Sequence, residues 1–193
     1  MKDASGIRSN LQLGMNMENS YESVSGIIGE VLLRCYDENG NLRWEDIQKN
    51  LITTTGDQYY AKQGAVGVGG NTAPSLVNGM KLGSSATAAV KSGTGSTIVS
   101  GGYISGSNIA FDSATVAASA GTDTGYKITY QTTWSAGVAT NSNIQEVAMV
   151  IDQATNAAPP ASACVSRAVI SPARNKQSGD TLVAVWTHNF LGA

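Results

Sequence analysis

The chain has 193 residues and a formal net charge of −2, and only 13% of its residues are charged, about half of the usual share. The length suits one all-β domain, and the chain lacks the basic stripe of a protein that binds nucleic acid or an anionic membrane. No apolar run approaches the roughly 20 residues that span a bilayer, and the N-terminus has no secretory segment. We therefore expect a cytosolic product that binds neither nucleic acid nor membrane.

Residues 1–25 predict an extended arm, and residues 26–193 the folded domain. The arm is polar, but it carries apolar residues that a tail does not need, and four of them alternate along the chain. Glycine and asparagine between them weaken any isolated strand. The segment is interpreted either as a disordered tail or as an arm that orders by adding to a neighbour's sheet. The candidate interface residues are Ile7, Leu11, Leu13, Met15 and Met17.

A β-hairpin is predicted at the start of the domain. Residues 28–36 and 42–47 bear apolar side chains at strand spacing, and Asn39-Gly40 lies between them. Asparagine and glycine tolerate the positive φ angles that tight hairpin turns need. This pair is therefore a strong hairpin signal.

One short helix is predicted after the hairpin. Thr55 and Gln58 have the spacing of a capping box, which indicates a helix over about residues 56–63 that Gly64 ends. The glycine-rich residues 64–70 have the composition of a phosphate-binding loop, but they lack the flanking strand and helix and the following Lys-Ser/Thr pair. A flexible surface loop is the favoured interpretation.

The remaining elements are predicted as strands. The clearest is residues 126–134, where β-branched and aromatic side chains alternate for nine residues. Residues 144–151 are apolar on both faces and indicate a buried strand. Further strands are predicted at residues 80–83, 97–99, 103–104, 113–117, 164–170 and 180–190, with a polar turn at 171–179. Many strands and almost no helix favour an antiparallel β-sandwich, most simply a jelly roll.

No residue pattern predicts catalysis. His188 is the only histidine, which excludes a histidine triad or a multi-histidine metal site, and a hydrogen-bonded core histidine is favoured. Four carboxylates flank the hairpin, and a solvated hairpin tip is favoured over the paired acids of a glycosidase. They are Asp37, Glu38, Glu45 and Asp46. We predict no catalytic residue, no cofactor and no metal site.

Aromatic and cysteine residues are also interpreted as structural. Five aromatic residues occupy positions that look inward in the predicted strands, where core packing is favoured over a platform for stacking sugars. They are Trp44, Tyr126, Tyr130, Trp134 and Trp186. Cys35 and Cys164 are too few and too far apart for a disulfide framework or a zinc site, and we expect two small buried side chains.

Several sequence pieces resemble a family of tailed-bacteriophage virion proteins. The pieces are residues 126–137, 144–148, 166–169 and 176–187, in that order, and, further upstream, residues 50–56 and 80–83. Together they cover about residues 50–190. The resemblance implies a jelly-roll or related β-sandwich that decorates or cements capsids, and similar domains also occur among tail components.

The resemblance implies a capsid decoration protein rather than an enzyme. Such a protein would bind the outer capsid surface at junctions between major capsid subunits and self-associate as a dimer or trimer. It would be located on the exterior of the virion after assembly in the bacterial cytoplasm. Two alternatives stay open: a tail or fibre domain that binds a carbohydrate or receptor on the host surface, and a glycan depolymerase.

Overall fold

The computed structural model describes residues 26–118 and 125–191. The predicted arm and its five interface candidates lie outside the described residues. The strands are β1 (Gly26–Tyr36), β2 (Leu42–Ile52), β3 (Gly79–Gly83), β4 (Ile109–Ala110), β5 (Ser113–Ala118), β6 (Tyr126–Trp134), β7 (Asn141–Val150), β8 (Cys164–Lys176) and β9 (Thr181–Leu191). Helix α1 spans Thr54–Gly64, and a 3₁₀ turn spans Ala161–Ala163.

The nine strands form one antiparallel sheet in the order β4-β3-β7-β8-β2-β1-β9-β6-β5. Strand β2 pairs with β1 along most of its length, and then Leu51 and Ile52 pair with β8, so the ladder continues from one half of the sheet to the other. The edge strands β4 and β5 are joined by only Phe111 and Asp112. The Asp112 N–H donates to the Gln131 carbonyl of β6 at 2.8 Å. The sheet is therefore curled, and this short connection brings its two edges close together without pairing them.

The expected fold class is confirmed as mostly β and antiparallel, with one short α-helix in the described part of the chain. The expected two-sheet sandwich is not what the structure shows. Because β2 hydrogen-bonds to both β1 and β8, the two halves belong to one curled sheet.

The core lies on the concave face of this sheet. Buried apolar side chains from β1, β6 and β9 on one half pack against those of β3, β7 and β8 on the other. Trp134 and Trp186 are both fully buried, which confirms them as core residues. The indole N–H of Trp134 donates to the Ser107 carbonyl at 2.7 Å, so its one polar atom is satisfied.

The predicted hairpin is confirmed, and a carboxylate organises its turn. Asp37 Oδ1 accepts the backbone N–H groups of Asn39 and Asn41 at 2.9 and 2.8 Å. These bonds lower the pKa of Asp37, with Asn41 the main cause. Gly40 has φ 81°, a left-handed conformation that costs glycine little.

The predicted helix is confirmed, but a different threonine caps it. Thr53 precedes the first turn and accepts the Gly56 N–H at 3.1 Å. The hydroxyl of Thr55 instead donates to the Ala161 carbonyl at 2.9 Å. The sequence contains three consecutive threonines, and tertiary contacts decide which one serves as the cap.

Three stretches differ from the strand predictions. Residues 97–99 form no strand, because Ile98 packs at 1% exposure on the outer face of β7 and β8 instead of pairing. Tyr103 makes only an isolated bridge to Gly83. The polar turn predicted at 171–179 is mostly strand, since β8 continues to Lys176 opposite Asn141 of β7.

Candidate functional site

An open apolar groove lies where helix α1 faces strands β1, β9 and β6. Its volume is about 520 Å³. The apolar lining consists of Ile27, Tyr59, Tyr60, Ile128, Tyr130 and Phe190, and Gln63 adds an amide. The floor of the groove is the concave face of the sheet. Ile27 of β1 and Phe190 of β9 lie opposite each other in the β1–β9 register and contribute side chains to this floor.

The apolar surface continues from the groove onto the β5–β6 hairpin. Tyr126 lies opposite Phe190 in the register and is 65% exposed. Val116 lies opposite Ile128 and is 69% exposed. Burial along β6 thus decreases from Trp134 to Tyr126 on one and the same face. This end of the concave face is uncovered by the described residues, and it can accept an extended apolar segment or a flat ligand.

A buried histidine ties helix α1 to the sheet beneath the groove. His188 is fully buried, and its Nδ1 lies 2.5 Å from the Tyr60 hydroxyl. Its Nε2 lies 2.9 Å from both the Trp186 indole nitrogen and the Asn50 amide nitrogen. Because an indole N–H can only donate, Nε2 accepts and the proton resides on Nδ1. Burial lowers the pKa of His188 to about 3, so the ring is neutral.

The histidine network is structural in its geometry. The neutral tautomer donates to Tyr60 of the helix and accepts from Trp186 of the core, so every ring nitrogen is occupied. The expected hydrogen-bonded core histidine is confirmed. The hydrogen bond from His188 holds Tyr60 in one orientation in the groove, with its ring 5.4 Å from that of Phe190.

The hairpin carboxylates have separate structural partners. Glu45 pairs with Arg34 at 2.6 Å, and Asp46 pairs with Arg174 at 2.8 Å. Asp37 holds the turn, and Glu38 is solvent-exposed on that turn. The favoured interpretation of a solvated hairpin tip holds for Asp37 and Glu38, and the other two carboxylates brace β2 against β1 and β8.

The five candidate aromatic residues do not assemble into one platform. Trp134, Trp186 and Tyr130 are buried in the core. Trp44 is half-buried and donates to the Asn175 carbonyl at 2.7 Å. Tyr126 is 65% exposed, so the expected core packing is wrong for this residue. Sequence reasoning missed the aromatic groove because two of its rings, Tyr59 and Tyr60, come from the helix, and only the fold brings them to the sheet.

Sequence reasoning also missed a row of buried charges on the convex face of the sheet. Glu146 and Arg167 are both fully buried and form an ion pair of 2.6 Å. Lys81, also fully buried, pairs with Asp152 at 3.0 Å. These charges lie under the long connections around residues 84–102 and 151–160, whose backbone carbonyls complete the hydrogen bonding.

The described residues contain no group of three or more histidine, cysteine or acidic side chains that could hold a metal ion. Cys35 and Cys164 are buried and unbonded to each other, as expected. Burial raises the pKa of Cys35 to about 11 and that of Cys164 to about 12, so both remain thiols. Among the described residues, no helical segment has the length and apolar character that a membrane span requires.

No protein-family model, no curated protein and no solved structure matches this chain.

Proposed function

We propose that this chain is a structural protein of a tailed-bacteriophage virion, which binds the outside of the capsid at junctions between major capsid subunits and stabilises the shell. The observation that carries the proposal is the sequence resemblance over residues 50–190. Its pieces fall on β3, β6, β7, β8 and β9 and on the junction of β2 with α1, which form most of the framework of the sheet.

The same proposal relates the curled sheet to jelly-roll sandwiches. The two halves of the sheet face each other across one core, as the two layers of a sandwich do. In this view, the continuous pairing through β2 and the short β4–β5 connection are variations on that architecture.

The surface chemistry supports a binding role in an assembly. Only 13% of the residues are charged, so a contact face has few ions to desolvate. Many copies on a capsid would add weak contacts into strong overall attachment. The partners in this proposal are the major capsid protein and further copies of the chain, as a dimer or trimer.

The N-terminal arm extends the proposal. Ile27 lines the apolar groove, so the described chain begins beside that surface. We propose that the apolar residues of the arm become buried against a neighbouring decoration subunit or the capsid floor. Main-chain pairing would give affinity there, and alternate side chains would give register.

The deciding experiment is a reconstruction of virions, with and without this protein, at a resolution that traces the sheet. We expect density for the curled sheet on the outer shell at junctions between capsid subunits, and its loss in particles that lack the protein. Density confined to the tail, or shells that are unchanged without the protein, would refute the capsid assignment.

A second candidate function is carbohydrate binding by a tail or fibre protein, and the aromatic groove favours it. Tyr59, Tyr60, Tyr130 and Phe190 place four rings around one open site, and aromatic faces stack on sugars. Against it, the polar groups that sugars need are few, since Gln63 is the main polar side chain and the Tyr60 hydroxyl is engaged by His188. Binding to a host glycan that is lost in Gln63→Ala and Phe190→Ala would establish this function.

A further inference from the structure

The convex face of β2, β1 and β9 carries an apolar row that nothing in the described chain covers. Leu32 lies opposite Ile47 of β2 and opposite Val185 of β9, so the three side chains run straight across the sheet. Ile47 is 59% exposed, and the other two are half-buried. An aliphatic row at the centre of a polar sheet face is typical of the middle of a protein–protein interface.

Charged residues of β1 and β2 border this row on both sides, and at each side the two strands carry opposite charges. Two positions before Leu32, Glu30 of β1 lies opposite Lys49 of β2. Two positions after it, Arg34 of β1 lies opposite Glu45 of β2. Viewed in the direction of β1, the charges therefore change from negative to positive on β1 and from positive to negative on the antiparallel β2. The apolar row and these four charges are named the convex patch.

The convex patch is complementary to itself. We consider a two-fold axis that lies parallel to the apolar row, midway between two facing copies. Rotation about this axis places the convex patch of the second copy over that of the first, with each strand over its counterpart in the opposite direction. Glu30 of one copy then lies over Arg34 of the second copy, and Lys49 over Glu45, so every charge meets its opposite. Each charged row lies about 7 Å from the axis, and facing sheets pack about 10 Å apart, which these long side chains can span.

We propose that two copies of this chain associate through the convex patch in a face-to-face, two-fold symmetric dimer. Symmetric dimers use the same patch on both subunits, which is what this charge order allows. Cross-strand pairing within one subunit explains Arg34 and Glu45, which form an ion pair of 2.6 Å. It does not explain the exposed Ile47, or Glu30 and Lys49, which form no ion pair among the described residues.

The inference deepens the self-association part of the proposed function and rests on it for its biological setting. Its physical test needs only the full-length chain in solution. Sedimentation equilibrium over a dilution series should show a reversible dimer for the wild-type chain. A chain that stays monomeric throughout the series overturns the inference.

Two charge reversals test the predicted pairing. In the proposed dimer, position 30 of one copy lies over position 34 of the other. In Glu30→Arg, both positions therefore carry arginine and face arginines of the second copy. In Arg34→Glu, both positions carry glutamate and face glutamates. Each variant alone should dimerise at least about tenfold more weakly, because like charges are opposed. Mixed together, the two variants should form a heterodimer, because every facing pair is then opposite in charge. A mixture no tighter than the separate variants overturns the proposed geometry.

A matched pair of apolar substitutions tests where the contact lies. Ile47→Asp puts a charge in the centre of the convex patch and should abolish the dimer. Leu76→Asp makes the same kind of change at a residue that is 65% exposed on the connection between α1 and β3, and it should leave the dimer unchanged. Loss of the dimer in Leu76→Asp, or its retention in Ile47→Asp, would place the contact elsewhere and overturn the inference. Unchanged melting temperatures would show that both variants are folded.

Capsid binding, measured separately, distinguishes the two proposals. A monomeric chain that binds decoration-free capsids overturns the dimer and leaves the capsid function standing. A chain that forms the predicted dimer but binds no capsid supports the dimer and refutes the capsid function.

Discussion

At the scale of single residues, His188 shows how the fold controls a titratable group. The ring is enclosed by α1 and the core, and its hydrogen bonds suit only the neutral form, because Nε2 faces two N–H donors. Protonation would place a third hydrogen against those donors and bury a charge. Both effects oppose protonation, which agrees with a pKa lowered to about 3 by burial.

The first prediction is an acid sensitivity caused by His188. Its folded pKa of about 3 lies below the ordinary value of 6.5. The unfolded chain therefore binds more protons between these two pH values. Stability from this residue is complete above pH 6.5 and is lost as the pH falls towards 3, by up to about 1.4 kcal/mol per pH unit. Urea unfolding across this window measures the slope.

The control for the acid sensitivity is His188→Gln, which cannot titrate. The variant should be less stable at neutral pH, by about 1–3 kcal/mol, because the network loses partners. Its unfolding free energy should fall less steeply with acid than that of the wild type. Other titrating groups affect both proteins alike, so parallel pH curves for the two would contradict the role given to His188.

The second prediction concerns Gly29, where the backbone closely approaches this network. A Cβ at this position would overlap the Asn50 side chain and lie 2.6 Å from Cδ2 of His188. Gly29→Ala should therefore destabilise the protein by about 1–3 kcal/mol through overpacking. Gly64→Ala is the matched control, because a Cβ there meets no neighbouring atom. Equal urea midpoints for the two variants would show that the site near His188 relaxes at no cost.

At the scale of elements, the ion pair of Glu146 and Arg167 attaches the long connection around residues 84–102 to the sheet. This connection is held by hydrogen bonds to the ion pair instead of by strand pairing. Arg167 donates to the carbonyls of Thr87 and Gly95 at 2.9 and 3.0 Å, and Glu146 accepts the Ser85 N–H at 3.2 Å. Burial raises the pKa of Glu146 despite the adjacent guanidinium. The pair therefore fixes the connection in place more than it adds net stability.

The third prediction follows from that ion pair. Arg167→Met leaves Glu146 buried without its partner and should cost about 3–5 kcal/mol. The double variant Glu146→Leu, Arg167→Met should cost less than the single one, because no lone charge remains. Urea unfolding gives the energies, and limited proteolysis should cut residues 84–102 faster in both variants. A double variant less stable than Arg167→Met would contradict this account.

The sequence predicted those elements whose pattern matches their environment. Strand β6 was found with its observed limits, because its side chains alternate, and β7 was found because both of its faces are covered. Residues 97–99 were assigned wrongly, because Ile98 is buried by packing rather than by pairing. The groove could not be predicted, since Tyr60 and Phe190 meet only through the docking of α1 on the sheet.

At the scale of the whole molecule, the curled sheet leaves one edge strand unprotected. All six residues of β5 are exposed, and the strand pairs only with β6 among the described elements. It has no charged residue and no proline, the usual means of blocking an edge. The apolar concave face lies beside this edge, with Val116 at its margin. An added extended segment could therefore pair with β5 and bury side chains in the groove.

The fourth prediction concerns the arm, residues 1–25, as such a segment. Ordering costs roughly 1–2 kcal/mol per residue in backbone entropy, and apolar burial returns about 25 cal/mol per Å², so the arm needs a partner surface to be stable. Deleting residues 2–25 should leave the melting temperature of the sheet nearly unchanged, because the core lies within residues 26–191. Binding to decoration-free capsids should weaken.

A second variant separates the length of the arm from its chemistry. Replacing the five apolar residues of the arm with serine keeps the backbone and removes the side chains that would give register and burial. These are Ile7, Leu11, Leu13, Met15 and Met17. If apolar burial drives the contact, this variant should bind capsids as weakly as the deletion. If both variants bind as tightly as the intact chain, the arm takes no part in attachment, and the contact must come from the folded sheet alone.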